Sequence, residues 1–467
     1  MPRCRACRSA PDPGWSWPGG PAIDVPQPAR DAGRVRAGRT LRRGAMPRLA
    51  PARREVDRGA ALRAGASHAA GVMASGRSCP NLPVPIPCHP GDAAIPPHLT
   101  DPLNGTAYPL DRPRWRGDDG APLLLSDLPG IGRDDIARDR RSLWRYAAAL
   151  PVAVPRPITL GEGCTPLIEA AIPGGTALLK CEWFSPSGSF KDRGASVMLS
   201  VLRDQGVSRI LEDSSGNGGA AIATYAAAGG MSATIFVPEG TSPAKTVQAR
   251  AAGATIRLIP GSRQDCADAA LAEAERIFYA SHNWHPFFLE GTKTLAYELW
   301  EDLGFRAPDA VIVPCGAGSN VLGCARGFAE LLRAGQIARL PRIYAAQPEA
   351  CGPIARSVLD LPEALPRPTI AEGTAIAQPI RLTECVDALL RSGGGAVLLS
   401  EPEIAAATRD LAGRGFYVEP TCAQAAAAFA RLRAAGAIGS AETAVVVLTG
   451  SGLKATQRHA ELLGVAV

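Results

Sequence analysis

The segment Ile210-Leu211-Glu212-Asp213-Ser214-Ser215-Gly216-Asn217-Gly218-Gly219 decides the fold. A short apolar strand ends in two acids and two hydroxyls and runs directly into the glycine-rich start of an alanine-rich helix. The same unit recurs outward from it. Strands are expected at Thr176–Lys180, Ala233–Val237, Thr255–Ile259, Val311–Val313, Arg342–Ala345 and Val445–Leu448. Helices are expected at Gly219–Ala228, Pro243–Ala252, Cys266–Tyr279, Lys293–Leu303 and Val321–Leu332, with a further helical stretch at Arg140–Leu150. Short apolar strands alternating with helices of this length form parallel sheets covered on both faces, so the chain is α/β with two open parallel-sheet domains. No tandem repeat is present.

The composition is that of a globular protein: 467 residues, 46% hydrophobic and 20% charged. No apolar run reaches the roughly 18 residues a membrane helix needs, and prolines break the segment after the N-terminal arginines, so neither a membrane span nor a secretory signal is expected. The expected compartment is the cytoplasm. The net charge of +6 is unevenly spread. Residues 1–63 hold fourteen arginines against five acids, so nine positive charges sit there and the rest of the chain nets −3. The folded part therefore offers no basic surface for nucleic acid, and the tail lacks interleaved aromatics. Twelve cysteines are scattered rather than framed, and Cys4-Arg5-Ala6-Cys7 is a lone pair without partners nearby, so no metal site is expected.

Residues 1–97 are rich in Arg, Pro, Ala and Gly and show no sustained apolar period, which predicts a disordered extension. Met46 and Met73 within it offer alternative starts.

Chemistry concentrates at four loops. Ser185-Pro186-Ser187-Gly188-Ser189-Phe190-Lys191-Asp192-Arg193-Gly194 places a lysine just before a helical run. The chain has only five lysines, at 180, 191, 245, 293 and 454, among 50 basic residues. Arginine can replace lysine as a surface charge but cannot form an imine, so a retained lysine beside a helix start is a candidate imine former. The Ser214–Gly219 turn can bring backbone N–H groups close to a carboxylate, and Asn217 can donate to a phenolate oxygen; an ordinary strand-turn-helix reads the same way. Cys315-Gly316-Ala317-Gly318-Ser319-Asn320 is a glycine loop without the lysine of a Walker motif or the spacing of a dinucleotide fingerprint. Its amides can hold one phosphate, although a glycine loop alone is weak evidence. In Leu448-Thr449-Gly450-Ser451-Gly452-Leu453-Lys454, Thr449 either bonds a heteroaromatic nitrogen or caps the next helix. Together the four loops match what pyridoxal 5′-phosphate requires: an amine, a phosphate cup, an oxygen donor and a ring-nitrogen partner.

From about Leu143 to its end the chain resembles the threonine synthases of the fold-type II pyridoxal phosphate enzymes, the group that also holds threonine dehydratase and cysteine synthase. The matching stretches are Trp144-Arg-Tyr146 with Leu150-Pro151, Leu160–Leu167, Pro186–Gly194, Ser214–Asn217, Glu290–Thr294, Val418–Thr421 and Leu448–Lys454. The resemblance implies Lys191 as the Schiff-base lysine, Asn217 on the 3′-oxygen, the cup Gly316, Ala317, Gly318, Ser319 and Asn320 on the phosphate, and Thr449 on the ring nitrogen. It also implies Ser214, Ser215, Gly216 and Asn217 on the carboxylate of a small amino-acid substrate. The implied organisation is a large cofactor-binding domain at 131–199 and 286–467, a small nested domain at 200–285, and a homodimer. An alcohol at Thr449, where many pyridoxal enzymes carry a carboxylate, favours elimination or replacement over transamination, with Lys191 as general base.

Two departures stand out. Residues 98–130 have the rhythm of the small zinc ribbon at the front of many threonine synthases, but Asp101, Asn104 and Asp119 stand where thiolates are needed, so a metal-free relic is expected. In His282-Asn283-Trp284-His285-Pro286-Phe287-Phe288, Phe288 occupies the position of the family's phosphate-gripping arginine. Lys245, Arg381 and a protonated His285 are the candidate replacements; His282 and His285 also read as packed or surface histidines. The implied reaction is O-phosphohomoserine to threonine, with a threonine or serine dehydratase as the alternative and a non-catalytic binding protein behind both.

Overall fold

The computed structural model describes residues 96–466; the extension expected at 1–97, with Met46 and Met73, lies almost entirely outside them. In chain order the elements are β1 (Leu99–Thr100), β2 (Ala107–Tyr108), β3 (Leu124–Leu125), β4 (Leu167–Ile172), β5 (Gly175–Cys181), α1 (Lys191–Asp204), β6 (Arg209–Glu212), α2 (Asn217–Ala228), β7 (Ser232–Pro238), α3 (Pro243–Ala251), β8 (Thr255–Ile259), α4 (Arg263–Glu273), β9 (Phe278–Tyr279), α5 (Pro286–Thr292), α6 (Thr294–Asp302), β10 (Ala310–Pro314), α7 (Ser319–Arg333), β11 (Arg342–Pro348), α8 (Pro353–Val358), α9 (Leu382–Arg391), β12 (Gly395–Leu399), α10 (Glu401–Gly413), α11 (Pro420–Ala434), β13 (Ala444–Leu448) and α12 (Thr456–Leu463).

A six-stranded sheet runs β12-β11-β10-β13-β5-β4, and a four-stranded sheet runs β8-β7-β6-β9. Every pair in the smaller sheet is parallel. In the larger one only β4 runs antiparallel, as an edge strand joined to β5 by the turn at Gly174 and Gly175, both with positive φ. Alternation along the strands explains why both faces are covered. In β10 Val311 and Val313 pack with α6 and α7, while Ala310 and Ile312 pack with α11. The smaller sheet divides likewise: Ile210, Ile235 and Val237 face α1 and α2, and Leu211 and Phe236 face α4 and Trp115.

Two expected helices come out differently. The helix expected over Cys266–Tyr279 stops at Glu273, and Phe278–Tyr279 pairs with Ile210 and Leu211 as β9. The open edge of β6 accepts those backbone groups, a tertiary gain that local pattern does not register. Arg140–Leu150 forms only a 3₁₀ turn, Leu143–Ala149, bent at Tyr146. The bend buries both rings with partners: Trp144 Nε1 donates to Glu162 Oε1 (3.1 Å) and Ser196 Oγ (2.9 Å), and Tyr146 Oη donates to Glu301 Oε2 (2.5 Å).

Residues 98–130 make a three-stranded antiparallel sheet, β2-β1-β3, over Leu99, Tyr108, Leu123, Leu125 and Leu128. Its turn residues satisfy backbone groups. Asp101 Oδ1 accepts from Leu103 N (2.9 Å), Asn104 Oδ1 from Thr106 N (2.8 Å) and Asp119 Oδ1 from Ala121 N (3.1 Å), while Asn104 Nδ2 donates to Asp119 Oδ2 (3.1 Å).

Candidate active site

The lysine loop is held against the end of β13. Phe190 N–H donates to the Thr449 carbonyl (2.9 Å), Ser451 N–H to the Gly188 carbonyl (3.0 Å), and Lys454 Nζ to the Ser187 carbonyl (2.8 Å). Gly188 sits at φ +83°, a region that favours glycine, so the loop can turn back on itself. Its closure is completed by buried Asp192, which accepts from the N–H (2.6 Å) and hydroxyl of Ser187. Burial raises Asp192 to about 6 against those hydrogen bonds. Lys191 opens α1, with Nζ 4.8 Å from the ring centre of Phe190 and 5.5 Å from that of Phe288. Burial lowers its ammonium to about 7; Glu212 opposes the shift and Arg263 adds to it.

The Ser214–Gly219 turn reaches the same place. Asn217 Nδ2 donates to both oxygens of the Glu419 carboxylate (3.1 and 3.0 Å), and a Cβ on Gly450 would lie 3.0 Å from that amide nitrogen. Asn217 thus lies beside the Thr449–Gly450 end of β13. Thr449 is buried, its hydroxyl 3.2 Å from Cys422 Sγ.

At the end of β10 the glycine loop leads into α7, capped by Gly318 at φ +96°. Both amide atoms of Asn320 are buried without a partner, as is Ser189 Oγ in the lysine loop. Buried polar groups are ordinarily paired, so these orphans mark where a polar ligand belongs. Cys315, immediately before the cup, feels the charge of Lys191: burial pushes the thiol up to about 12 and the ammonium opposes it. A lysine, an open amide cup at a fifteen-residue helix start and a buried hydroxyl therefore meet at the carboxyl ends of two sheets. They fit a phosphate-bearing aldehyde.

The sequence model of the pyridoxal-phosphate dependent enzymes matches residues 158–450. The chain belongs to that family. Curated relatives of this pyridoxal-phosphate dependent enzyme include the threonine synthase of Methanosarcina acetivorans, 34% identical over 341 residues that cover 70% of this chain and 84% of the relative. The threonine synthase of Methanocaldococcus jannaschii is 32% identical over 338 residues, 69% and 83% of the two chains. Among solved structures, processed threonine deaminase isoform 2 from Solanum lycopersicum superposes with a TM-score of 0.54 at 24% identity, covering 64% of this chain and 83% of that one. Maize serine racemase does so with a TM-score of 0.54 at 24% identity, over 64% and 93%. At that identity the two structures share the fold.

In this pyridoxal-phosphate dependent enzyme Phe288 is fully buried, and its ring fills the space a Cβ on Gly194 would occupy, 2.5 Å away. Each of the three candidate replacements for the missing arginine already has a partner among the described residues. Lys245 pairs with Glu372, which Arg458 Nε also holds (2.9 Å). Arg381 is buried and donates to the carbonyls of Leu123 (2.9 Å), Asn283 (3.3 Å) and Trp284 (2.6 Å), strapping the small antiparallel sheet to the body. His285 Nδ1 accepts from Phe287 N (3.3 Å) at the start of α5, and burial, helped by Arg381, lowers it to about 3.

Three nearby pairings escaped the sequence reading: Glu419 on Asn217, Cys422 on Thr449, and Glu212 with His282. Glu212 carried a signal, since an acid at the end of a strand flanked by apolar residues is buried and needs a partner.

Proposed function

We propose that the protein is a pyridoxal phosphate-dependent lyase of the threonine synthase kind, converting O-phosphohomoserine to threonine and phosphate. The docking of the Lys191 loop on Thr449, with the unpartnered Asn320 amide in the facing cup, supports this reading most directly. In it Lys191 holds the cofactor aldehyde. Asn217 donates to the 3′-oxygen, Gly316, Ala317, Gly318, Ser319 and Asn320 surround the phosphate, and the Thr449 hydroxyl meets the ring nitrogen. The cofactor supplies an electron sink for the pair left when a proton leaves the α carbon. Lys191, a base whose burial brings it near neutrality, carries protons among the α, β and γ carbons. Ser214, Ser215, Gly216 and Asn217 hold the substrate carboxylate and keep that carbon beside the lysine.

The reading includes a large cofactor-binding domain at 131–199 and 286–467, a small nested domain at 200–285, residues 98–130 as a relic ribbon whose turns are closed by carboxylates and amides, Lys245 at the substrate side of the site, a homodimer and a cytoplasmic location. Among the described residues no helix is long and apolar enough to cross a membrane.

Phe288 favours a second reading, because it puts an apolar ring beside Lys191 where a phosphate grip belongs. That reading is a threonine or serine dehydratase. Incubation with O-phosphohomoserine and, separately, with threonine or serine separates the two. Phosphate plus threonine supports the synthase; ammonia plus a keto acid from threonine or serine, with no phosphate release, replaces it by the dehydratase.

A further inference from the structure

Glu212 ends β6 with its carboxylate fully buried. Both oxygens bond His282: Oε1 lies 2.9 Å from His282 Nδ1 and also accepts from the Asp213 backbone N–H (3.1 Å), and Oε2 accepts from the His282 backbone N–H (3.0 Å). The pair fixes the imidazole in plane and position. The ring lies against the turn that carries Ser214–Gly219, since a Cβ on Gly218 would sit 2.7 Å from His282 Cε1 and 2.8 Å from Nδ1. On its other side is Phe288, 5.7 Å between ring centres, and that same phenylalanine lies 5.5 Å from Lys191 Nζ. Nε2 has no partner among the described residues, although the side chain is only 5% exposed. A buried histidine locked through one nitrogen and free at the other, packed on the phenylalanine that also neighbours the reactive lysine, has a nitrogen to spare for a ligand bound there.

We propose that His282, held by the positioning residue Glu212, donates the proton that the leaving group of the substrate requires. The inference rests on the lyase reading above. When the bond from the γ carbon to oxygen breaks, its electron pair goes to oxygen, and the pair left on the β carbon by proton loss to Lys191 closes the β–γ double bond. A phosphate monoester dianion leaving unassisted would depart as the strongly basic phosphate trianion; in the dehydratase reading the leaving group sits on the β carbon, the α-carbon pair closes the α–β double bond, and the hydroxyl would depart as hydroxide. Transfer of the Nε2 proton to that oxygen gives hydrogen phosphate or water instead. The Glu212 carboxyl passes its own proton to Nδ1 as Nε2 gives one up, leaving a carboxylate that accepts from Nδ1–H, and solvent restores the lost proton. This takes over on the leaving-group side what the absent arginine cannot do, by proton transfer in place of charge pairing.

The groups around the imidazole are Glu212 and Asp213 on β6, Tyr279 on β9, which donates to Asp213 Oδ1 (2.8 Å), Lys191 on α1 and Arg263 on α4. Burial raises Glu212 to about 7, with the His282 N–H and Lys191 opposing, and burial with the Lys191 charge lowers His282 well below its ordinary range. The proton of the pair therefore rests on Glu212, which leaves the neutral imidazole protonated at Nε2. Leaving-group release falls as pH rises through about 7 and this proton is lost.

The test uses the cofactor-loaded enzyme and the two variants Glu212→Gln and His282→Gln, with three readings: visible absorbance of the bound cofactor, exchange of the substrate α-hydrogen with deuterium oxide, and release of phosphate. The expected result is a ratio of exchange to release that rises about 100-fold in both variants, at the low end of what general acids contribute. The fall of release above pH 7 disappears, and a small amino acid carrying a halide leaving group, which needs no proton, is turned over at close to the unmodified rate. An unchanged ratio, or equal losses with the halide and oxygen leaving groups, overturns the proposal while leaving the lyase reading intact. If the unmodified enzyme exchanges no α-hydrogen, the lyase reading fails and this one falls with it.

Discussion

The backbone N–H of Phe190 donates to the carbonyl of Thr449 at 2.9 Å, one of three bonds that hold the lysine loop at the tip of the last strand. It joins two segments that the chain keeps far apart and sets Lys191, the next residue, at the first turn of α1 facing the sheet ends.

Lys191→Ala is expected to fold normally, because it removes a buried amine that has no ion-pair partner among the described residues and leaves Phe190, Asp192 and their hydrogen bonds in place. The visible absorbance of the lysine-bound cofactor and the turnover should both vanish. An absorbance band that persists in the variant would assign the attachment to another residue.

Cofactor loading should accelerate as pH rises through about 7 and level off above it. Only the unprotonated amine attacks an aldehyde, and burial holds the Lys191 ammonium at about 7 in the cofactor-free protein. Absorbance traces of the cofactor-free enzyme mixed with pyridoxal 5′-phosphate between pH 5.5 and 9 measure this; a midpoint near that of an ordinary lysine would contradict it.

Gly318→Ala should weaken cofactor binding by at least tenfold. The residue caps α7 at φ +96°, and a Cβ there would lie 2.0 Å from Cys385 Sγ, so the cup must deform to admit it. Equilibrium titration of the cofactor provides the number, and the melting curve of the cofactor-free form separates this effect from general instability.

Phe288→Arg should not recreate a phosphate grip. The ring is fully buried against Gly194, so the change removes core packing and introduces a buried cation, at a cost of about 3–5 kcal/mol. Urea unfolding measures it. A stable variant with tighter O-phosphohomoserine binding would show that the helix α5 can yield.

Glu298→Ala should cost about 3–5 kcal/mol by stranding buried charges. Glu298 accepts from Arg193 Nη1 (2.9 Å), Lys180 Nζ lies 2.7 Å away, and all three side chains are essentially inaccessible. Burial pushes the Glu298 carboxyl up, but Arg193 and Lys180 outweigh it and hold the group well below the usual carboxylate range. A depressed carboxylate stabilises the fold above about pH 4.3, its unfolded value, and that contribution is lost as pH falls below it. The unmodified protein should therefore lose stability more steeply than the variant on acidification.

The fold was legible because its signals are local. Alanine-rich helices such as Asn217–Ala228 satisfy their own backbone, apolar strands such as Val445–Leu448 need neighbouring strands to do so, and both leave faces that a covered parallel sheet buries. The four loops were legible for a related reason: glycine, hydroxyl and amide residues at strand ends are where open sheets present ligands. The segment Phe278–Tyr279 was misread because its strand exists only through Ile210 and Leu211, whose free edge no local pattern records. Arg381 was misjudged as a candidate cation because three carbonyls that claim it, those of Leu123, Asn283 and Trp284, come from distant parts of the chain.

By itself, then, the sequence determined the alternating α/β architecture and singled out the lysine and loops proposed to hold a pyridoxal cofactor, because each rests on a few neighbouring residues and on backbone geometry. Only the tertiary structure decided what surrounds Lys191: Phe288 beneath it, Glu419 on Asn217, and Glu212 fastened to His282. A buried side chain finds its hydrogen-bond partner across elements, and distance in space is not written in the order of the residues.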